Sequence, residues 1–149
     1  MFRSARLVVL VLLFALGLAA CTAAPKGPKI EVQDPWARSS PMAAAMGAIY
    51  MKLANKGSEA DALVGASTEA CKMIEFHETY QKEGGAMGMR PVEGGRIPLP
   101  PGETVELKPG GLHMMCMHKQ IPFEPGTKFQ LTLTFEKHEP ITVEVEVRK

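Results

Sequence analysis

The eight residues Gly110-Gly-Leu-His-Met-Met-Cys-Met117 bring one imidazole, three thioethers and a thiol into a single run. Set as a strand, the run sends successive side chains to opposite faces. His113, Met115 and Met117 then share one face, and Leu112, Met114 and Cys116 share the other. A neutral imidazole beside thioethers suits a soft, thiophilic, monovalent ion, and Cu(I) is the biological one. Methionine is also an adaptable core filler. The run therefore gains chemical meaning only if donors elsewhere join it.

Two further stretches carry such donors. Lys72-Met-Ile-Glu-Phe-His-Glu78 alternates, with Ile74 and Phe76 directed inward and Met73, Glu75 and His77 outward. After a hairpin-like loop from Gln81 to Ala86, Met87-Gly-Met89 sends two thioethers the same way from an extended segment. Two hairpins folded toward each other assemble a site of two histidines and two methionines. No single element is specific, but the combination is. His118 and His138 read as solvated surface residues, His118 opposite in direction to His113.

The elements that must position these donors are short strands. Ile30–Val32, Ala48–Leu53, Ala60–Ala66 with Asp61 at an edge, Thr104–Leu107, Lys128–Glu136 and Ile141–Val147 all show strand character. Turn signals fall at Asn55-Lys-Gly57, Glu93-Gly-Gly95 and Pro109-Gly-Gly111. Ile97 to Gly102 is extended and stiffened by proline, and Trp36 reads as a core anchor. With no long amphipathic helix, many short strands at turn-spaced intervals predict an all-β sandwich or barrel.

The N-terminus is organised differently. Arg3 and Arg6 precede an apolar run from Leu7 to Leu18 and small residues, which is the pattern of a secretory signal peptide over residues 1–20. Leu18-Ala-Ala-Cys21 reads as a lipoprotein cleavage box, with Cys21 lipidated and holding the protein to a membrane. Thr22, not being an aspartate, permits sorting to the outer membrane. Residues 21–29 then form a flexible tether and 30–149 a single domain. Losing Arg3 and Arg6 reduces the 17 basic residues by two against 16 acidic ones, a net charge near −1 that gives nucleic acid no purchase. Cys71 and Cys116 are either a disulfide or free buried thiols, and the sequence favours neither.

The order His77, then Met89 before Arg90-Pro-Val92, then Pro109-Gly-Gly-Leu-His-Met-Met115 resembles the periplasmic copper chaperones of the PCuAC (DUF461) family. Trp36-Ala-Arg38, Ala48-Ile-Tyr50, Asn55-Lys-Gly57, Asp61-Ala-Leu63, Glu75-Phe-His-Glu78, Ile97-Pro98 and Leu131-Thr-Leu-Thr-Phe-Glu136 extend the resemblance along the folded body. It implies a cupredoxin-like Greek-key β-sandwich that carries Cu(I), with Cu(II) tolerated. It also implies delivery to the copper-site subunit of cytochrome oxidase in the periplasm, beside Sco-type thiol proteins. Carried over residue by residue, the ligands are His77, Met89, His113 and Met115, with Met87 and Met117 as accessory thioethers. The 11 residues between His77 and Met89 and the 23 between Met89 and His113 exceed the family's usual gaps. Both excesses fall in Gly-rich loops, where insertions cost little, and they leave Met87 as an alternative to Met89. Cys116 stands where an aliphatic residue is expected.

Three other classes of function compete. An electron-transfer cupredoxin needs a cysteine thiolate beside its histidines and a weak axial methionine; Cys116 and His118 are present, but no methionine follows Met117. A copper-sequestering surface lipoprotein would use the same ligands as a chaperone. No catalytic arrangement stands out, so an enzyme is not expected, and a monomer is.

Overall fold

Period-two patterning is plainest in Lys128–Phe135, where Phe129, Leu131, Leu133 and Phe135 are buried and Gln130 and Thr134 exposed. A strand with one apolar face must lay that face on another sheet. The computed structural model describes residues 27–149, which contain ten strands. They are β1 (Ile30–Arg38), β2 (Met46–Asn55), β3 (Asp61–Ser67), β4 (Cys71–Gln81) and β5 (Met87–Pro91). After a 3-10 turn at Glu93–Gly95 come β6 (Ile97–Leu99), β7 (Thr104–Leu107), β8 (Leu112–Lys119), β9 (Lys128–Phe135) and β10 (Ile141–Arg148). The signal peptide, the lipidation residue Cys21 and the tether as far as Lys26 lie outside the described residues.

The strands form one hydrogen-bonded sheet in the order β5-β4-β8-β7-β2-β1-β10-β9-β3-β6. Neighbours are antiparallel except β1 with β10 and β7 with β8. The sheet folds over itself. Phe76, Met114 and Cys116 from one end share a single apolar core with Leu63, Ile97, Leu131 and Leu133 from the other. The result is the expected all-β sandwich, with Greek-key crossings where β2 passes to β3 and β3 to β4. Strand β2 links two partners: Met46–Ile49 pair with β8, and Met51–Ala54 pair with β7.

Three features tie down the frame. Cys71 and Cys116 form a disulfide between β4 and β8, with Cα atoms 5.4 Å apart and 45 residues of separation. Closing a loop of that length contributes roughly 4 kcal/mol in the chain-entropy account. Asn55, fully buried, donates to the carbonyls of Glu59 (2.8 Å) and Leu99 (2.9 Å) and accepts from the backbone of Gly57 (3.0 Å) and Lys29 (3.3 Å). A side chain on Gly57 would meet the Gly27 carbonyl at 2.1 Å, so only glycine lets residues 27–29 lie against this turn. Residues 27–29, the last of the tether segment, are thereby fastened to the body.

The third is Asp61, which is buried rather than a solvated edge residue. Its Oδ1 accepts from the backbone of Ala62 (2.7 Å) and Lys137 (3.0 Å), and its Oδ2 from His138 (2.9 Å). Burial alone would raise its pKa, but these N–H groups outweigh burial and hold it below the ordinary carboxylate value. A carboxylate with a depressed folded-state pKa contributes stability that is complete above its unfolded value, about 3.9. That contribution disappears as pH falls through the lower folded value. Urea titrations at stepped pH are expected to show wild-type stability falling below about pH 4. Asp61→Asn should be weaker at neutral pH by roughly 1–3 kcal/mol and have a flatter acid limb. An unchanged acid limb would remove Asp61 from the account.

Candidate metal centre

The site begins with register. In the antiparallel pair β4/β8, His77 lies directly opposite His113, Glu75 opposite Met115, and Met73 opposite Met117. Directly opposed side chains project from the same face. On the far side of β4, Pro91 opposes His77, Met89 opposes Thr79, and Met87 opposes Gln81. The two imidazoles therefore form the central row. Met89 stands one row toward the β4–β5 hairpin, and Met115 one row the other way. Diagonal neighbours of this kind lie within reach of long side chains, at about 7–8 Å. Met87 is a further row removed, so register separates Met89 from Met87 where chain order did not. Arg90 holds that register from the opposite face, with Nε 2.7 Å from Glu78 Oε1 and its guanidinium over the Tyr80 ring.

The alternation of β8 is as expected: Met114 and Cys116 are fully buried in the core, and His113 and Met115 face away from it. That outer face is nevertheless covered. His113 is 4% and Met115 8% exposed, whereas Met89 is 58% and Met87 60% exposed. The cover is aromatic. Trp36 packs on Tyr50 with ring centroids 4.6 Å apart, Tyr50 lies 6.4 Å from His113, and His113 lies 5.9 Å from His77. Trp36 is thus not the core anchor its type implied. It opposes Tyr50 across β1 and β2, where the strand resumes register after a bulge at Asp34 (φ 48°). Burial raises the Tyr50 pKa, and the nearby Arg38 opposes that shift.

Hydrogen bonds orient both imidazoles. Nδ1 of His113 donates to the Gly111 carbonyl at 3.0 Å, which leaves its Nε2 as the lone-pair nitrogen. His77 is held the other way: its Nε2 donates to Glu75 Oε2 at 2.9 Å, leaving Nδ1 as the lone-pair nitrogen. That Nδ1 is buried and has no hydrogen-bond partner. A buried acceptor without a donor is costly, and in a native fold it calls for an occupant. Ligating histidines commonly show this pattern, with the second ring nitrogen tied to a carboxylate or carbonyl. Glu75 was visible in the sequence as an outward residue two positions from His77. The Trp36–Tyr50 cover was not, because it depends on the pairing of distant strands.

Other donors are disposed elsewhere. Cys116 is bonded to Cys71 on the core side of β8, so it offers no thiolate to the face carrying His113. That removes the ligand on which the electron-transfer alternative depends. His118 is exposed and sits at φ 52°, a break in alternation that turns Lys119 and Cys71 inward. His138 packs edge-on against Phe135. Among the described residues, no three His, Cys, Asp or Glu side chains converge as a metal site. Methionine sulfur is available in the rows on either side of the paired imidazoles, from Met89 and Met115.

The folded sheet is that of PCuAC-type domains. The copper-bound PCuAC domain from PmoF2 is similar with a TM-score of 0.66 and 25% identity, over 85% of this chain and 95% of that one. The solution structure of Cu(I)-DR1885 from Deinococcus radiodurans is similar with a TM-score of 0.61 and 27% identity, over 87% of this chain and 83% of that one. Residues 30–147 match the model of the LpqE-like lipoprotein family, and the chain belongs to that family. A relative from Leifsonia xyli subsp. xyli, Lxx21020, whose name describes it as a lipoprotein, is 31% identical over 142 residues. That match spans 89% of this chain and 83% of the relative.

The hydrogen bonds fix opposite tautomers. In the metal-free protein with both rings neutral, long-range 1H–15N correlation spectra are expected to show His77 protonated on Nε2 and His113 on Nδ1. Glu75→Gln should disturb the His77 pattern and leave that of His113 in place. Identical tautomers in the wild type would overturn this description of the site.

Proposed function

We propose that the chain is an extracytoplasmic copper chaperone. It holds Cu(I) on His77, Met89, His113 and Met115 and passes it to the copper centres of cytochrome oxidase. The observation that carries this reading is the facing imidazole pair. Each ring has one nitrogen tied by a hydrogen bond and the other free, and the free nitrogen of His77 is buried without a partner. The likeness to domains described as copper-bound supports the same cargo. Imidazoles and thioethers bind as neutral donors, so the set holds a monovalent soft ion without the deprotonation that thiolates require. It also keeps its ligands in an oxidising compartment, where Cys71 and Cys116 are paired.

Release follows from the asymmetry of exposure. Met89 stands in solvent on β5 near the sheet edge, while His113 and Met115 are covered. An incoming acceptor ligand meets Met89 first, and the covered donors let go last. Stepwise exchange of this kind lets copper move without ever being free in water. Cys21 anchors the protein to a membrane through lipid, in keeping with the lipoprotein naming of its family. Sco-type thiol proteins are the expected companions at the same acceptor. A sequestering lipoprotein would bind copper equally well and would differ only in failing to hand it on.

Anaerobic Cu(I) titration with X-ray absorption at the copper edge is expected to show a tightly bound ion with mixed nitrogen and sulfur scattering. His77→Ala with His113→Ala should abolish the nitrogen contribution without unfolding the sandwich. Glu75→Gln should weaken binding by about 10–100-fold, the usual scale for losing a group that orients a ligand. Tight mixed-ligand binding that survives removal of both histidines would sink the assignment. Transfer to an oxidase copper-subunit fragment, against none, separates chaperone from buffer.

A further inference from the structure

The sheet carries a second group of thioethers that the imidazole site leaves unused. Met73 of β4 lies directly opposite Met117 of β8, and Met117 lies directly opposite Met46 of β2. Three methionines on three adjacent strands thus occupy a single cross-strand row. All three project from the outer face, since Met73 continues the Glu75–His77 alternation and Met117 continues His113–Met115. Opposed Cα atoms stand about 4.5–5.5 Å apart, a separation that flexible thioethers can close onto one centre.

Packing does not explain the row. Met46 and Met73 are each 50% exposed and Met117 is half-buried, so none fills the core. Large apolar side chains left in solvent gain nothing there and call for a reason. Among the described residues the exposed large hydrophobics are Met42, Met46, Met73, Met87, Met89 and a single valine, Val64. Five of these six are sulfur-bearing side chains. The backbone of the row is also held firmly. Beside it, the Cys71–Cys116 disulfide ties β4 to β8. Lys119, on the inner face, donates to the Ser40 and Pro41 carbonyls and to Ser40 Oγ, which fastens the segment leading into β2.

We propose that Met46, Met73 and Met117 form a second site, made only of thioether sulfur, for a soft monovalent cation such as Cu(I) or Ag(I). Three neutral thioethers select a soft ion over a hard one. Lacking an imidazole, this site binds more weakly than the histidine site and exchanges faster. Met117 is two residues along β8 from Met115, about 7 Å on the same face. The row therefore adjoins the histidine site and can load it or drain it.

The test is an Ag(I) titration of the full chain labelled with 13C at the methionine methyl groups. The first equivalent is expected to move the Met89 and Met115 methyl signals. The second should move Met46, Met73 and Met117 together, and core Met51 and Met114 serve as internal controls. The triple variant Met46→Leu, Met73→Leu, Met117→Leu should lose the second event and keep the first. His77→Ala with His113→Ala should lose the first and keep the row's response. Row methyls that stay unmoved through both equivalents in the wild type would overturn the second site, whatever the histidine site does. So would a second event that persists in the triple leucine variant. Loss of the first event alone would count against the histidine site and leave this one standing.

Discussion

Everything about the candidate site rests on one pairing, β4 against β8 with His77 opposite His113. Slipping that register by one residue would send every donor of one strand to the core and bring core side chains out. Two independent devices oppose such a slip. The inner faces commit Phe76, Met114 and Cys116 to the apolar core, and the disulfide joins the same two strands covalently. Cys116, in a position where an aliphatic residue was expected, thus does structural work and leaves the outer face to imidazole and thioether.

That division of labour between faces explains how one strand serves two purposes. On β8, alternate residues go to the core and to the donor face, so packing and ligand placement use different side chains of the same segment. Rigidity reaches the donors through the backbone. Hydrogen bonds then complete the orientation, from Glu75 to one imidazole and from the Gly111 carbonyl to the other. The Gly111 carbonyl also accepts from the Thr79 backbone N–H at 3.2 Å, so the group that orients His113 belongs to the same strand pairing. Of the two candidate thioethers, Met89 on the edge strand β5 stands in solvent, whereas Met115 is covered.

A large share of this was legible in the chain itself. Period-two alternation is a local property, so it marks Thr104–Leu107 and the strand from Lys128, and within β4 and β8 it sets the inward or outward sense of Phe76, His77, Met114 and Met115. Where a local rule failed, a non-local constraint had intervened. Trp36 has the size of a core residue, but the bulge at Asp34 and pairing with β2 stack it on Tyr50, in the aromatic cover that ends at the two imidazoles. Asp61 looked like a polar edge residue because three backbone donors, two of them more than seventy positions away, are invisible from its neighbours.

By itself, then, the sequence determined the donor inventory, the all-β class and the face to which each donor points, because side-chain chemistry and strand alternation require only near neighbours. The tertiary structure alone decided which donors meet. It brought His77 to His113, set Met89 one row nearer than Met87, paired the cysteines away from the donor face, and aligned Met46, Met73 and Met117 in one row. Those are properties of interstrand register, and register is fixed by the packing of the whole core.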